Sequence, residues 1–548
     1  MKKKITAFMA IAVLVSGILA GCSKSPASTN STGADKDTKS AIDTSAILRI
    51  NSSSEPPSLD PPKGFDSTSY DILNNIMEGL YRQDKDHKLQ PAIAEKVDIS
   101  ADGKTYTFKL RDAKWSNGDP VTASEFEFAW KRLLDPKNAF PSSFLANYIE
   151  GAEAFNSGKG KVEDVQVKAK DAKTFEVKLA APTGFFLNII TSPAFFPVHK
   201  ASVEKNDKWS AEAATILSNG PFKLTEWTHD RSLKAVKNDM YWDKDSVKIA
   251  GINWSIVNDT NTAYQMFKTD QLDYIKSVPN DLRKQLLDSG EAKADPQAAV
   301  YYYRMNFKME PFQNANIRKA FAMAIDRKTL IEHVAQGKQT PALAHIPFGL
   351  LEPDGKDFRE VGGNFFKDND IEEAKKLLKK GMEEEKYTTL PTVTLTYNTD
   401  DSHKAIAQAM QEMYKKNLGV EIKLENKEWK VFLADQRARK LQFSRSTIPA
   451  DYGDPLNYLE LFQTDHPGNR INYSNKEYDA LVTKIRNTAD EKTRFKLMHD
   501  AEKMFMDDMP LVPIHFPKTI YAAKPKVTGY VNHPVGYLEL KWVQISKK

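Results

Sequence analysis

One cysteine, Cys22, in 548 residues leaves no partner for an internal disulfide, so stability must come from conventional cores. Net charge is also scarce: 78 Lys and Arg face 73 Asp and Glu, giving +5 with His neutral, and no basic field for nucleic acid is evident. No His-Glu-x-x-His, Gly-x-Ser-x-Gly or paired-cysteine motif occurs, and the ten histidines lack zinc-type spacing. The expectation is therefore a non-enzyme without cofactor or metal. No solenoid or propeller repeat is visible. Ser157-Gly158-Lys159-Gly160-Lys161 superficially resembles a phosphate loop, but Glu153 stands where that loop needs glycine and Gly160 follows the lysine. It reads as a turn.

What is present begins at the amino end. Lys2, Lys3 and Lys4 precede a predominantly apolar run, Ile5 to Leu19, and small residues lead into Cys22. The run is shorter than the roughly 20 residues of a spanning helix. It reads as a secretory signal peptide over 1–21, processed at a lipobox, in preference to a short membrane anchor. Cys22 would then carry lipid and hold the protein to the outer face of the cell membrane. Loss of the three lysines takes the charge from +5 to +2. Residues 22–46, rich in Ser, Thr, Lys and Asp, read as a disordered tether with a mean span of roughly 25 Å. No second apolar stretch could cross a bilayer. The remaining chain is too long for one core and implies two or three domains.

From Ile47 onward strand and helix patterns intermix. Tyr106–Leu110 and Thr174–Leu179 alternate at period two, as half-buried strands do. Ala123–Leu134 is a predicted helix stopped by Asp135-Pro136, and Ile371–Lys380 another, ended by Gly381. Glu383 to Lys386 then reads as a solvated charge run. Ala405–Leu418 is a third helix, closed by Gly419 and followed by a strand, Val420–Leu424. The class is α/β with several mixed sheets. A tethered, near-neutral α/β body without catalytic motifs has the profile of a capture protein holding a small ligand between lobes.

Particular segments go further. Ala101-Asp102-Gly103-Lys104-Thr105-Tyr106-Thr107-Phe108-Lys109-Leu110-Arg111 is followed by Trp115-Ser116-Asn117-Gly118-Asp119-Pro120-Val121-Thr122. With Ser54–Pro61, Met77–Leu80, Ser218–Leu224, Asn238–Asp243, Asn316–Ala320 and Tyr397–Asp400, these resemble the signature of family 5 extracellular solute-binding proteins. The similarity covers essentially the whole chain from Ile47 and is nearest to the dipeptide- and oligopeptide-binding lipoproteins of Gram-positive ABC importers. It implies a periplasmic-binding-protein-like fold of type II, with three domains in two lobes around a cleft. Lobe I would comprise 47–75, 211–305 and 516–548, an additional domain 76–210, and lobe II 306–515. The implied function is capture of short peptides and delivery to an ABC permease with its ATPase subunits, by a monomer. The same fold with a muropeptide, signalling peptide, haem, nickel or opine ligand is the alternative; an exported hydrolase or an adhesin is a more distant one.

The resemblance also implies a site. Asp451, in Ala450-Asp451-Tyr452, matches the family carboxylate that pairs with the ligand ammonium; the residues alone favour a turn aspartate before Gly453. Thr447, Ile448 and Pro449 would present backbone to the peptide by strand addition. They depart from the family's Gly-Trp-Cys, and Pro449 removes one donor. Arg445 matches an arginine that meets the ligand carboxylate, or is a salt bridge on a strand face. His403 matches a histidine at the same end, or is a helix N-terminal residue. Phe65, in Gly64-Phe65-Asp66, lines a pocket or belongs to core. Phe144 and Tyr148 match a pocket segment only loosely, and Trp115, Trp130, Trp227 and Trp242 read as packing.

Overall fold

The computed structural model describes residues 41–547 except 465, 467 and 536, and only the backbone of Trp429 and Lys430. The expected signal peptide and Cys22 lie outside the described residues. So does most of the tether, but 41–46 are held in place. Ile42 bridges Ser546, and the Asp43 N–H donates to the Ile545 carbonyl at 2.7 Å. The composition of this stretch hides the ordering because the partner is backbone, which any side chain permits.

Three larger sheets organise the described chain. The first runs Ala292–Pro296, Lys518–Ala523, Tyr274–Ile275, Ile47–Ser52, Gly251–Ile256, Ser232–Lys237, Phe222–Thr228 in spatial order. The second runs Thr340–Pro341, Leu511–Phe516, Ala299–Met305, Phe443–Pro449, Val393–Asn398, Ile422–Lys427. A four-stranded antiparallel sheet comprises Ala94–Ile99, Thr105–Leu110, Thr174–Lys178 and Val167–Asp171. Parallel pairs occur in both larger sheets, Ile47–Ser52 with Gly251–Ile256 and Val393–Asn398 with Ile422–Lys427. The mixed α/β architecture is as expected.

The first two sheets are joined by only two chain passages. Gln297 and Ala298 lead from Ala292–Pro296 into Ala299–Met305, and Pro517 leads from Leu511–Phe516 into Lys518–Ala523. The stretch 299–305, given to lobe I by the sequence division, is hydrogen bonded in the middle of the second sheet. All seven of its residues are buried. A strand covered on both faces shows no alternation, so the pattern offers no cue to where one lobe ends.

Local chemistry explains the helices that frame the site. Ala123–Leu134 begins where Glu125 accepts the Thr122 N–H at 3.1 Å, and Trp115 Nε1 donates to the same carboxylate. Trp130 is fully buried against Phe175 and Phe195, with ring centroids 5.0 and 4.9 Å away. Trp227 and Trp242 are half-buried, their indole N–H groups donating to Glu55 and Glu78. Ser157 to Gly160 forms a turn, with Gly158 at φ +75°.

Four expectations are corrected. Gly381 does not end its helix, which spans Ile371–Glu384; a Cβ there would come within 2.6 Å of Ile317 Cγ1, so glycine permits a close helix crossing. The charge run after it is not simply solvated: Glu384 accepts from Asn314 at 3.0 Å and Asn316 at 2.7 Å, and Glu385 accepts from Gln313 at 3.0 Å. The helix Asp401–Leu418 starts earlier than its apolar face, because Asp400 caps it by accepting the His403 N–H at 2.9 Å. Its following strand, Ile422–Lys427, starts late because the Val420 N–H still closes the helix onto the Tyr414 carbonyl.

Candidate functional site

Strand Phe443–Pro449 is the spine of the site. On one side it pairs along its whole length with Ala299–Met305. On the other, Val393–Asn398 pairs only at Phe443 and Ser444. Among the described residues, 445–449 therefore have a strand on one edge alone. Such an edge is ready to take a further strand.

Side chains alternate across this strand. Arg445 and Thr447 share a face with Tyr301. Arg445 Nη2 donates to Thr447 Oγ1 at 2.8 Å and Nη1 to Asn398 Oδ1 at 3.2 Å, and its guanidinium lies 5.0 Å from the Tyr301 ring centre. No carboxylate pairs with Arg445 among the described residues, and its Nε is buried without a hydrogen-bond partner. His403 joins this cluster because the Asp400 cap fixes the first helical turn: its Nδ1 lies 3.3 Å from the Tyr301 hydroxyl and 3.6 Å from Asp400 Oδ1. Burial, reinforced by Arg445 and opposed by Asp400, pulls the His403 imidazole down to about 4. His515 stacks on Tyr301 at 4.8 Å, and burial with Arg445 and His403 pulls it down to about 3. Both imidazoles are neutral at physiological pH. Arg445 is the cation here.

Asp451 lies six positions beyond Arg445, roughly 20 Å at most along extended backbone. The turn that carries it is tightly held. The Asp451 N–H donates to Asn457 Oδ1 at 3.0 Å, the Ala450 N–H donates to the Ala298 carbonyl at 2.8 Å, and the Tyr458 hydroxyl donates to that same carbonyl at 2.7 Å. Asp454 accepts from Arg494 through both oxygens, at 2.7 and 3.1 Å. Tyr452 stacks on Phe185 at 5.3 Å and donates to Glu460 at 2.6 Å; the Tyr148 hydroxyl donates to Glu460 at 2.8 Å.

The Asp451 carboxyl itself has no ion-pair partner among the described residues. Its charge is felt by the phenols of Tyr458, Tyr70 and Tyr537, all raised chiefly by burial. Burial, with the nearby Glu460 carboxylate adding to it and Asn457 opposing it, pushes Asp451 up to about 6. A carboxylate so placed lacks a counter-charge.

Phe65 stands behind this end. Its ring meets Tyr70 and Phe144 edge-on, each at 5.9 Å, and Tyr70 meets Tyr537 at 5.3 Å. Phe65 packs on Tyr70, whose phenol feels the Asp451 charge. Of the expected residues, Arg445, Thr447 and His403 form one cluster, Asp451 with Tyr70 forms the other end, and Ile448 (buried) and Pro449 (exposed) lie between them. Tyr301, His515, Tyr70 and Tyr537 were not singled out in the sequence. Tyr301 and His515 sit in aromatic or apolar stretches that read as core, and Tyr70 and Tyr537 lie in mixed stretches without a site motif.

A cavity of about 670 Å³ opens elsewhere, beside the two inter-sheet passages, lined in part by His87, Asp295, Gln297, Phe516 and Lys518. None of the expected site residues lines it. No group of three or more His, Cys, Asp or Glu placed to hold a metal occurs among the described residues. None of their helices is long and apolar enough to cross a membrane.

Comparison with known proteins agrees with this geometry. Residues 88–470 match the model of the bacterial extracellular solute-binding proteins, family 5 Middle. The dipeptide-binding protein DppE of Bacillus subtilis is 50% identical over 535 residues, covering 97% of this chain and 98% of the relative. The oligopeptide-binding protein OppA of the same organism is 39% identical over 544 residues, covering 97% and 98%. Among solved structures, Listeria monocytogenes OppA bound to peptide superposes with a TM-score of 0.79 at 33% identity, covering 92% of this chain and all of that one. An open strand edge between an unpaired carboxylate and an unpaired guanidinium, on this scaffold, leads to one assignment: the chain belongs to the bacterial extracellular solute-binding proteins of family 5.

Proposed function

We propose that this protein captures short peptides between its lobes, as the substrate-binding component of an ABC importer, and hands them to a membrane permease. The observation that carries the reading is Asp451, an enclosed carboxylate without a cation at one end of the free edge 445–449. A peptide supplies what is missing: an ammonium for Asp451, backbone groups for the edge, and a carboxylate for Arg445. Every peptide carries these three, so affinity needs no particular side chain. The span between the two charged groups, roughly 20 Å at most, admits ligands up to about five or six extended residues. His403 and His515, being neutral, orient the carboxylate end without adding charge. The two-passage connection at Gln297–Ala298 and Pro517 is the hinge about which the lobes close, and 299–516 forms the moving lobe.

Calorimetry with a free tripeptide and its N-acetylated counterpart tests the reading. The free peptide should bind, and acetylation, which removes the ammonium, should cost at least tenfold in affinity, about 1.4 kcal/mol. Equal binding of both would remove Asp451 from the role. Affinity should also depend on pH. With Asp451 at about 6 in the unliganded site, lowering the pH from about 7 to about 5 neutralises it, and binding should weaken about tenfold. The ligand amine stays charged over that window. A flat profile would contradict the assignment.

The protein is held at the cell surface by lipid on Cys22 and acts as a monomer. Cys22→Ser should release it from membranes and prevent incorporation of labelled lipid; a variant still labelled would refute the lipobox reading.

A further inference from the structure

The face of strand Phe443–Pro449 opposite Arg445 carries Ser444, Ser446 and Ile448, with Arg304 and Tyr302 across the ladder. Arg304, 6% exposed, donates through Nη1 to the Gly468 carbonyl at 3.2 Å, and its guanidinium lies 5.5 Å from the Tyr302 ring centre. Arg470 donates through Nη1 to Gln436 Oε1 at 3.2 Å. Gln436 Nε2 in turn donates to the backbone carbonyl of Arg445 at 2.8 Å. Arg470 is therefore one side chain removed from the strand edge. Burial, with the like charges of Arg304 and Arg437 adding to it and Tyr302 opposing it, pulls the Arg470 guanidinium down to about 10.

Elsewhere the buried arginines have partners. Arg82, Arg359 and Arg494 each pair with a buried carboxylate, and the donors of Arg318 are met by the carbonyls of Phe312, Gln313 and Asp508. Among the described residues Arg304 and Arg470 pair with no carboxylate, and their Nε atoms and the Tyr302 hydroxyl are buried without a hydrogen-bond partner. Cations shielded from water are costly without a counter-charge, and a carboxylate supplied by a ligand would complete buried Arg304 and half-buried Arg470.

A peptide lying along edge 445–449 sends alternate side chains to the two faces of the sheet. We propose that Arg470, backed by Arg304 and the Tyr302 hydroxyl, is a subsite for the carboxylate of an acidic side chain of the bound peptide, on the face opposite Arg445. The guanidinium fork suits a carboxylate bidentately. This inference rests on the peptide-capture reading above. It makes the protein selective for peptides containing Asp or Glu at one position.

The test is calorimetry of the mature protein with tetra-alanine and its single Glu, Gln and Lys variants at each position. At one position Glu should bind at least tenfold more tightly than Gln, and Lys more weakly than either. Arg470→Gln should abolish that preference while binding tetra-alanine as the parent protein does. Equal affinity for Glu, Gln and Lys at every position, with tetra-alanine bound, would overturn the subsite and leave peptide capture standing. Failure of every peptide to bind would overturn both. The comparison in the unsubstituted protein decides the matter even if Arg470→Gln does not fold.

Discussion

Asp451→Asn is expected to weaken binding of a free short peptide at least tenfold and, at neutral pH, to make the empty protein more stable. The first effect follows from removing one member of an enclosed charge pair, which typically costs about 2–5 kcal/mol. The second follows from linkage. Asp451 titrates at about 6 in the folded chain against 3.8 for a free side chain. Its ionised form is thus disfavoured by folding. Its contribution is fully present below about 3.8 and is lost as pH rises through about 6, leaving a cost of about 3 kcal/mol at pH 7. Asparagine keeps the shape and carries no charge, so that cost disappears. Urea unfolding of the two proteins at about pH 4 and pH 7.5 should show the variant gaining stability only at the higher pH. A variant less stable at both, with peptide affinity unchanged, would mean that Asp451 is a turn residue and no more.

Arg494→Met is expected to destabilise the fold by about 3–5 kcal/mol, the cost of stranding a buried charge. Arg494 and Asp454 are each 3% exposed and bond through two parallel contacts, with Glu491 as a second acceptor at 2.8 Å. Burial raises the Asp454 carboxyl, and the Arg494 charge is the main influence opposing it. The guanidinium also lies 4.9 Å from the Phe185 ring centre, which stacks on Tyr452 beside the anchor. Removing the cation should therefore loosen the Asp451 turn as well as the core. The double variant with Asp454→Asn should recover much of the loss, because no charge is then stranded. Chemical denaturation measures both. A loss under 1 kcal/mol in the single variant would show the pair to be solvated in solution.

Elements with a periodic face and a cap were legible in the sequence. Ala123–Leu134 has both, and its bounds agree with the structure. Gly381 was read as a stop because glycine ends helices more often than it lets two of them touch; the contact with Ile317 is made by residues distant in sequence. The strand 299–305 hid its lobe because it is buried on both faces. At the site, the charged residues were found through the family resemblance, while Tyr70 and Tyr537, whose phenols feel the Asp451 charge, were not. Their positions 70 and 537 are joined to 451 only by folding, and a single tyrosine carries no mark in the sequence of the charge it comes to lie near. Gln436 and Arg470 were missed for the same reason.

The Ala298 carbonyl, bonded to both the Ala450 N–H and the Tyr458 hydroxyl, ties the turn bearing Asp451 to the chain passage between the first two sheets. Edge, turn and passage are thus one piece, and the spacing of Asp451 from Arg445 is set within a single sheet. Guest length is then gauged by a built-in ruler, the same whatever surrounds it.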